Sequence, residues 1–290
     1  MIQFTFDLYP EKGKLDRRIP YGHKFRGVIM KWLIESNPEL ADAFHSPEEI
    51  RPYAINMIPY RKEGKIEFIL TSYNEQLSDT VIHDLLQSEK VKLTVDSRQF
   101  FIARIKFERL NLEQMKRQAR AITKFQLQFV TPVYFNTSLG NYPVRFPIPD
   151  SLFGNLIRLW NDINEERLKI DGDSFIEWIN AHVYISGYKM RSAKRDIGKQ
   201  KPVVGGLGNA TYRVTKINTN YYEKLLEKMV QKHDTQFVNN NYSENCQWLD
   251  ILCKLGTYTN VGGNRTAGMG VIRYFPKTHL TEKDLLDNSF

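Results

Sequence analysis

Between residues 2 and 8 the apolar side chains fall on every second position. Ile2, Phe4, Phe6 and Leu8 alternate with Gln3, Thr5 and Asp7. A period of two puts the two sets on opposite faces of an extended strand, so one face demands cover. The next segments say what supplies it. In PYGHKFRGVIMKWLIES, Phe25, Val28, Ile29, Trp32 and Leu33 recur at helical spacing. Asn37 and Pro38 then restart a short helix, as cap and first helical residue, which ends at Phe44-His45. PYAINMIPY and KIEFILTSY read as two strands. SDTVIHDLLQSE reads as an amphipathic helix with Val81, Leu85 and Leu86 inward, and VKLTVDSRQFFIARIKFERL as more strand. The order strand, helix, strand, strand, helix, strand is that of a ferredoxin-like sheet.

Residues 111–121, NLEQMKRQARA, are polar and basic and read as a linker between a domain over 1–115 and another over 122–290. The second half repeats the architecture with insertions. TKFQLQFVTPVYF is a strand, and PVRFPIP is held extended by its prolines. DSLFGNLIRLW is a helix capped by Asp150 or Ser151 with an apolar stripe of Leu152, Leu156, Leu159 and Trp160. DGD at 171–173 reads as a turn. HVYISGYKMRS and ATYRVTKI form a strand pair, TNYYEKLLEKMVQ and CQWLDILCKLGTY are helices, and GMGVIRYF is the last strand. The expected class is α+β: two tandem ferredoxin-like (RRM-like) domains, each an antiparallel sheet with helices on one face.

Charge narrows the partners. With 41 Lys and Arg against 33 Asp and Glu, the net charge of +8 points to an anionic partner, nucleic acid first and an acidic membrane surface second. No apolar run approaches the roughly 18 residues a membrane helix needs. The N-terminus lacks a signal-peptide core. Cys246 and Cys253 fit neither a zinc knuckle nor a disulfide framework, so buried thiols in a cytoplasmic protein are expected. The six histidines show no metal-ligand spacing, carboxylates do not cluster, and no cofactor motif is found. A two-metal nuclease is therefore disfavoured.

Three features could carry chemistry. GYKMRSAKRDIGKQKPVVGG holds Lys189, Arg191, Lys194, Arg195, Lys199 and Lys201 against one acid, Asp196. A basic hairpin of this kind tracks phosphates. Tyr188 and Met190 alternate with Lys189 and Arg191, which separates an apolar from a basic face. In TNVGGNRTAGMG, the N–H groups of Gly262, Gly263, Gly268 and Gly270 could approach an anion unobstructed, and Arg265, beside Asn264, could add a bidentate contact. GGLGNA at 205–210 is a weaker version. His45, at a helix end with Arg51 close in sequence, is the first catalytic candidate, since a helix C-terminus favours the protonated imidazole. His23, beside Tyr21 and Lys24, is the second.

Taken in order, these stretches resemble a known family, the CRISPR-associated repeat-processing endoribonucleases, the sixth Cas protein (Cas-six) of the RAMP superfamily. LGTYTNVGGNRTAGMGVIRY is similar to its glycine-rich signature. PYGHKFRGVIMKWLIESNPELADAFH with RPYAINMI resembles its first helix and following strand, and PVRFPIPDSLFGNLIRLWN, GYKMRS and GGLGNATYRV its C-terminal domain. The resemblance implies metal-free cutting of CRISPR repeat RNA through a 2′,3′-cyclic phosphate, without cofactor, by a monomer or homodimer that could join effector-complex subunits. It also implies that the glycine-rich loop packs at the domain junction and helps hold the RNA backbone. It places the family histidine on His45 and the following lysine on or near Arg51. The first-helix tyrosine falls on Met30, leaving Tyr21 or Tyr53 for that role and Lys31 as a charge stabiliser. The alternative is a non-catalytic repeat-RNA-binding subunit.

Overall fold

The computed structural model describes residues 1–13, 15, 21–44, 51–87, 92–95, 97–136, 142–164, 166–198, 202–216 and 241–280. The helix expected over TNYYEKLLEKMVQ lies outside these residues, as do His45, Lys199 and Lys201 and the side chains of Tyr21, Leu85 and Leu86.

The first unit runs β1 (Ile2–Pro10), α1 (Tyr21–Ser36), α2 (Pro38–Ala43), β2 (Tyr53–Tyr60), β3 (Lys65–Ser72), α3 (Glu75–Gln87), β4 (Lys92–Val95) and β5 (Arg98–Arg109). Its sheet order is β2-β3-β1-β5-β4, with every pairing antiparallel. Without β4 this is the ferredoxin-like order, and β4 is a hairpin partner added at the edge. The alternation in β1 does what its period requires: Phe4, Phe6 and Leu8 are buried. They meet Phe25, Val28, Ile29, Trp32 and Leu33 of α1 in one core, where Phe25 stacks on Phe68 with ring centroids 4.5 Å apart. Each such side chain contributes about 1.5–3 kcal/mol by leaving water. Asn37 caps α2 by accepting from Leu40 N at 3.1 Å.

The second unit runs α4 (Leu112–Arg117), β6 (Ile122–Val133), β7 (Phe135–Asn136), β8 (Pro143–Val144), α5 (Pro149–Ile163), α6 (Gly172–His182), β9 (Val183–Arg195), β10 (Val203–Val214), α7 (Tyr242–Thr259) and β11 (Ile272–His279). Its four-stranded sheet, β11-β6-β10-β9, has the same fourth-first-third-second order as the first. Phe125, Leu127 and Phe129 of β6 pack with α5, α6 and α7 around the fully buried Trp160. Cys246 and Cys253 are buried free thiols in that core.

Several local expectations change. The stretch 111–121 is no slack tether. It contains α4, capped by Asn111, and Arg120 N donates to the buried Asp250 carboxylate at 2.9 Å. Asp250 also accepts from Tyr274 Oη at 2.6 Å and Lys254 Nζ at 2.7 Å. Neither Asp150 nor Ser151 caps α5. The cap is Ile148 with Pro149 inside the first turn and no side-chain bond, because proline removes a donor that a cap would have to satisfy. The DGD turn opens a helix: Asp171 caps α6 through Ser174 N at 3.4 Å and Ser174 Oγ at 2.7 Å. GGLGNA is no loop but the middle of β10, with Gly206 and Gly208 flanking a register shift.

Candidate functional site

The glycine-rich loop joins α7 to β11 and fills the junction between the two units. A Cβ on Gly22, in the first turn of α1, would collide with the Ala267 carbonyl, so helix and loop backbones touch. Asn260 Nδ2 donates to Ile55 O of β2 at 2.8 Å. Arg51 donates to Thr266 Oγ1 at 3.3 Å, just before β2. Arg265 is only 9% exposed, and its guanidinium donates to Tyr73 Oη at 2.6 Å and Thr259 O at 3.3 Å. The expected RNA contact of Arg265 is thus replaced by an inward one: the side chain ties the loop to the end of β3.

The glycines have a different use from the anion cradle read in the sequence. Gly262 N donates to Asn155 Oδ1, Gly263 N to Tyr134 O, Gly268 N to Arg265 O and Gly270 N to Pro132 O. Those four donors are occupied within the protein. Gly262 and Gly270 have positive φ (76° and 68°), and a Cβ on either would strike a carbonyl, of Tyr134 and Val261 respectively. Glycine is required for close backbone packing there. Asn264, half-buried, donates to Tyr134 Oη at 2.6 Å.

Around this junction the candidate residues scatter. His23 stands on α1 against the turn after β9: a Cβ on Gly198 would lie 2.7 Å from its Cδ2. Burial lowers its pKa, opposed by the Asp196 charge and a main-chain hydrogen bond at Asp196. Its Nδ1 is buried with no hydrogen-bond partner among the described residues. Ile197 of the same turn packs with Ala267 and Met269, so loop and basic hairpin share one small core, which α1 adjoins where Gly22 meets Ala267. Lys31 lies on the exposed side of α1, 3.6 Å from Glu35. Met30 is buried and accepts from Tyr53 Oη at 4.0 Å. Tyr53 is fully buried and its pKa is pushed up to about 12 by that burial, so it is not a group that RNA reaches.

Lys189, Arg191 and Lys194 on β9 are exposed, whereas Arg195 is half-buried with its pKa lowered by burial. Strand parity puts Lys189 and Arg191 on one face and Tyr188, Met190 and also Lys194 on the other. Pairing extends the basic face across the sheet in two rows, Lys189–Asn209–Gln128–Arg273 and Tyr184–Arg213–Lys124–Thr278. Neither row contains an acid. Lys124, Arg213 and Arg273 were missed in the sequence, although TKFQLQF signals the first of them: its polar residues alternate with the buried Phe125, Leu127 and Phe129.

A family model for the CRISPR-associated endoribonuclease Cas6 matches residues 127–272, just over half of the 290. The chain belongs to the Cas6 family. The matched segment holds β9, β10 and the whole glycine-rich loop, while Lys124 and Arg273 lie just outside it. Solved Cas6 structures share the fold. A Cas6 product complex superposes with a TM-score of 0.72 at 18% identity, covering 94% of this chain and 99% of that one. The Thermus thermophilus Cas6 gives 0.66 at 19%, covering 94% and 98%. The product of a Cas6-related gene from Pyrococcus furiosus gives 0.55 at 14%, covering 96% and 99%. No curated protein sequence matches the chain.

Cas6 membership supports an endoribonuclease of CRISPR repeat RNA processing. Among the described residues no three His, Cys, Asp or Glu side chains gather where they could hold a metal ion. No helix among them is long and apolar enough to cross a membrane.

Proposed function

We propose that this Cas6 protein is a cytoplasmic, metal-independent endoribonuclease that cuts the repeat RNA of the CRISPR precursor transcript into guide RNAs. The ribose 2′-OH attacks the adjacent phosphorus, leaving a 2′,3′-cyclic phosphate and a 5′-OH. The reading is carried by the family match over the segment whose glycine-rich loop locks onto α1 and β2.

The reaction needs a base for the 2′-OH proton, an acid for the leaving 5′-oxygen and a cation for the phosphorane charge. His45 takes a proton-transfer role, a task that imidazole as a class suits near neutral pH. Arg51 supplies permanent positive charge beside the loop, held by Thr266, but cannot act as an acid. Tyr21, in the first turn of α1, is the remaining hydroxyl candidate. Lys31 is the weaker charge stabiliser, since its ammonium is largely solvated beside Glu35. Lys189, Arg191 and Lys194, with Lys199 and Lys201 of the same hairpin, track the RNA phosphates, joined by Lys124, Arg213 and Arg273. Gly263 and Asn264 are the loop residues that RNA touches. Gly262, Arg265, Gly268 and Gly270 hold that loop in place.

The test is cleavage of labelled repeat RNA in EDTA by the wild type and His45→Ala. A single cut ending in a cyclic phosphate, slowed at least about 100-fold in the variant, is expected. A cut that EDTA abolishes, or that the variant makes equally fast, overturns the mechanism. Tight binding with no cut by either protein would make the chain an RNA-holding subunit of an effector complex instead.

A further inference from the structure

Beside the basic strand β9 lies a cavity of about 470 Å³ that nothing above employs. Arg145 and Phe146 line one wall, Tyr188, Met190 and Arg191 the other, and Gly206 its floor. Its size falls within the range of roughly 300–1,000 Å³ typical of small-ligand sites. The walls are fixed. Tyr212 Oη donates to Pro147 O at 2.7 Å, Ile148 N donates to Phe146 O at 2.9 Å, and β8 pairs with β7. The floor requires glycine, because a Cβ on Gly206 would collide with the Arg145 carbonyl and stand 2.9 Å from Met190 Cε.

The lining combines two chemistries. Tyr188 meets Phe146 edge-on, with centroids 5.1 Å apart and planes at 79°, and remains 68% exposed, so its ring is braced while still open. Arg145 is exposed and makes no ion pair among the described residues, whereas Arg191 borders the cavity but starts from the opposite face of β9. An open π-face calls for a flat ring, and an uncommitted guanidinium calls for phosphate. A nucleotide offers both at one place. The cavity is also close to the glycine-rich loop. A Cβ on Gly205 would lie 2.6 Å from Val133 O, and one on Gly262 would lie 3.1 Å from Val133 Cγ2.

We propose that this cavity receives one unpaired base of the repeat RNA, stacked on Tyr188, with Arg145 on the adjoining phosphate. The base must come from a loop, bulge or single strand, since a base inside a duplex has both faces covered. The proposal rests on the repeat-RNA reading and deepens it.

The experiment measures Kd for wild type, Tyr188→Ala and Tyr188→Phe on repeat RNAs that carry one abasic nucleotide at each position in turn. A 2′-deoxyribose at the cut keeps cleavage out of the measurement. At one position the abasic RNA should bind wild type roughly 5- to 150-fold more weakly, the worth of one stacked base. Tyr188→Ala should lose the same factor on intact RNA and nothing further on that abasic RNA, while Tyr188→Phe binds like wild type. Tyr188 is exposed, so its truncation leaves the fold standing. If Tyr188→Ala loses nothing, or its loss adds equally to every abasic position, the base-binding cavity is refuted while the functional reading stands. A wild type that does not bind intact repeat RNA removes the functional reading, and the cavity's ligand with it.

Discussion

Gly22 and Gly27 lie on the same helix, and alanine should act on them in opposite directions. In isolation a Gly→Ala change inside a helix stabilises by about 0.8–1.0 kcal/mol, somewhat less near its start. At Gly27 nothing among the described residues lies within 4 Å of the added Cβ, so the full gain is expected. At Gly22 the Cβ would stand 2.7 Å from the Ala267 carbonyl carbon and nearer still to its oxygen, where real contacts begin at 3.0 Å. Both atoms are backbone, so no side chain can turn aside. The loop must back off by at least 0.3 Å at the carbon (3.0 − 2.7) and by more at the oxygen. Overpacking of this kind costs about 1–3 kcal/mol. Propensity nearly cancels between the two variants, so urea unfolding should separate them by about 1–3 kcal/mol, with Gly22→Ala the less stable. The loop that moves carries the Asn260 and Thr266 contacts to the first unit, so repeat-RNA cleavage should also slow, by up to about 100-fold for a displacement approaching 1 Å. If Gly22→Ala is stabilised as much as Gly27→Ala and cuts at the wild-type rate, the two units are not locked through this backbone contact.

Other predictions follow from buried polar groups. Asp250→Ala strands Tyr274, Lys254 and the Arg120 N–H at once and should cost about 3–5 kcal/mol in urea unfolding; a loss below 1 kcal/mol would mean that the segment before β6 is not held through this carboxylate. His23 has a folded-state pKa below its ordinary 6.5, so its neutral form is the one the fold accepts. Its contribution is present above pH 6.5 and is lost as pH falls below that value toward the lowered folded pKa. Stability profiles between pH 7.5 and 5 should fall less steeply for His23→Asn than for the wild type, and identical slopes would contradict the assignment.

The first strand shows why so much of the fold was legible. Alternation in Ile2–Leu8 and in Lys124–Phe129, and helical spacing from Phe25 to Leu33, are local consequences of which faces must leave water. The sheet orders follow from that pattern and short connections. Local reading failed where a residue's meaning depends on a distant neighbour. Gly205, Gly206 and Gly208 look like a turn in isolation; their place in β10 comes from the backbones of Val133, Arg145 and Lys189 pressing against them in turn. Asp171 looks like a turn residue because capping side chains and turn side chains are the same.

The candidate site divides on the same line. The sequence determined that the chain carries a basic hairpin stretch, glycines clustered before the last strand and six histidines, because charge and residue type are properties of the chain itself. Whether a charge faces RNA or protein is a property of what packs against it. Arg265 and Lys189 are both cations in basic or glycine-rich stretches. Only the tertiary structure sends the first inward to Tyr73 and Thr259 and leaves the second on an open sheet face, because a guanidinium is buried only where carbonyls and hydroxyls from elsewhere in the chain converge to accept its hydrogens.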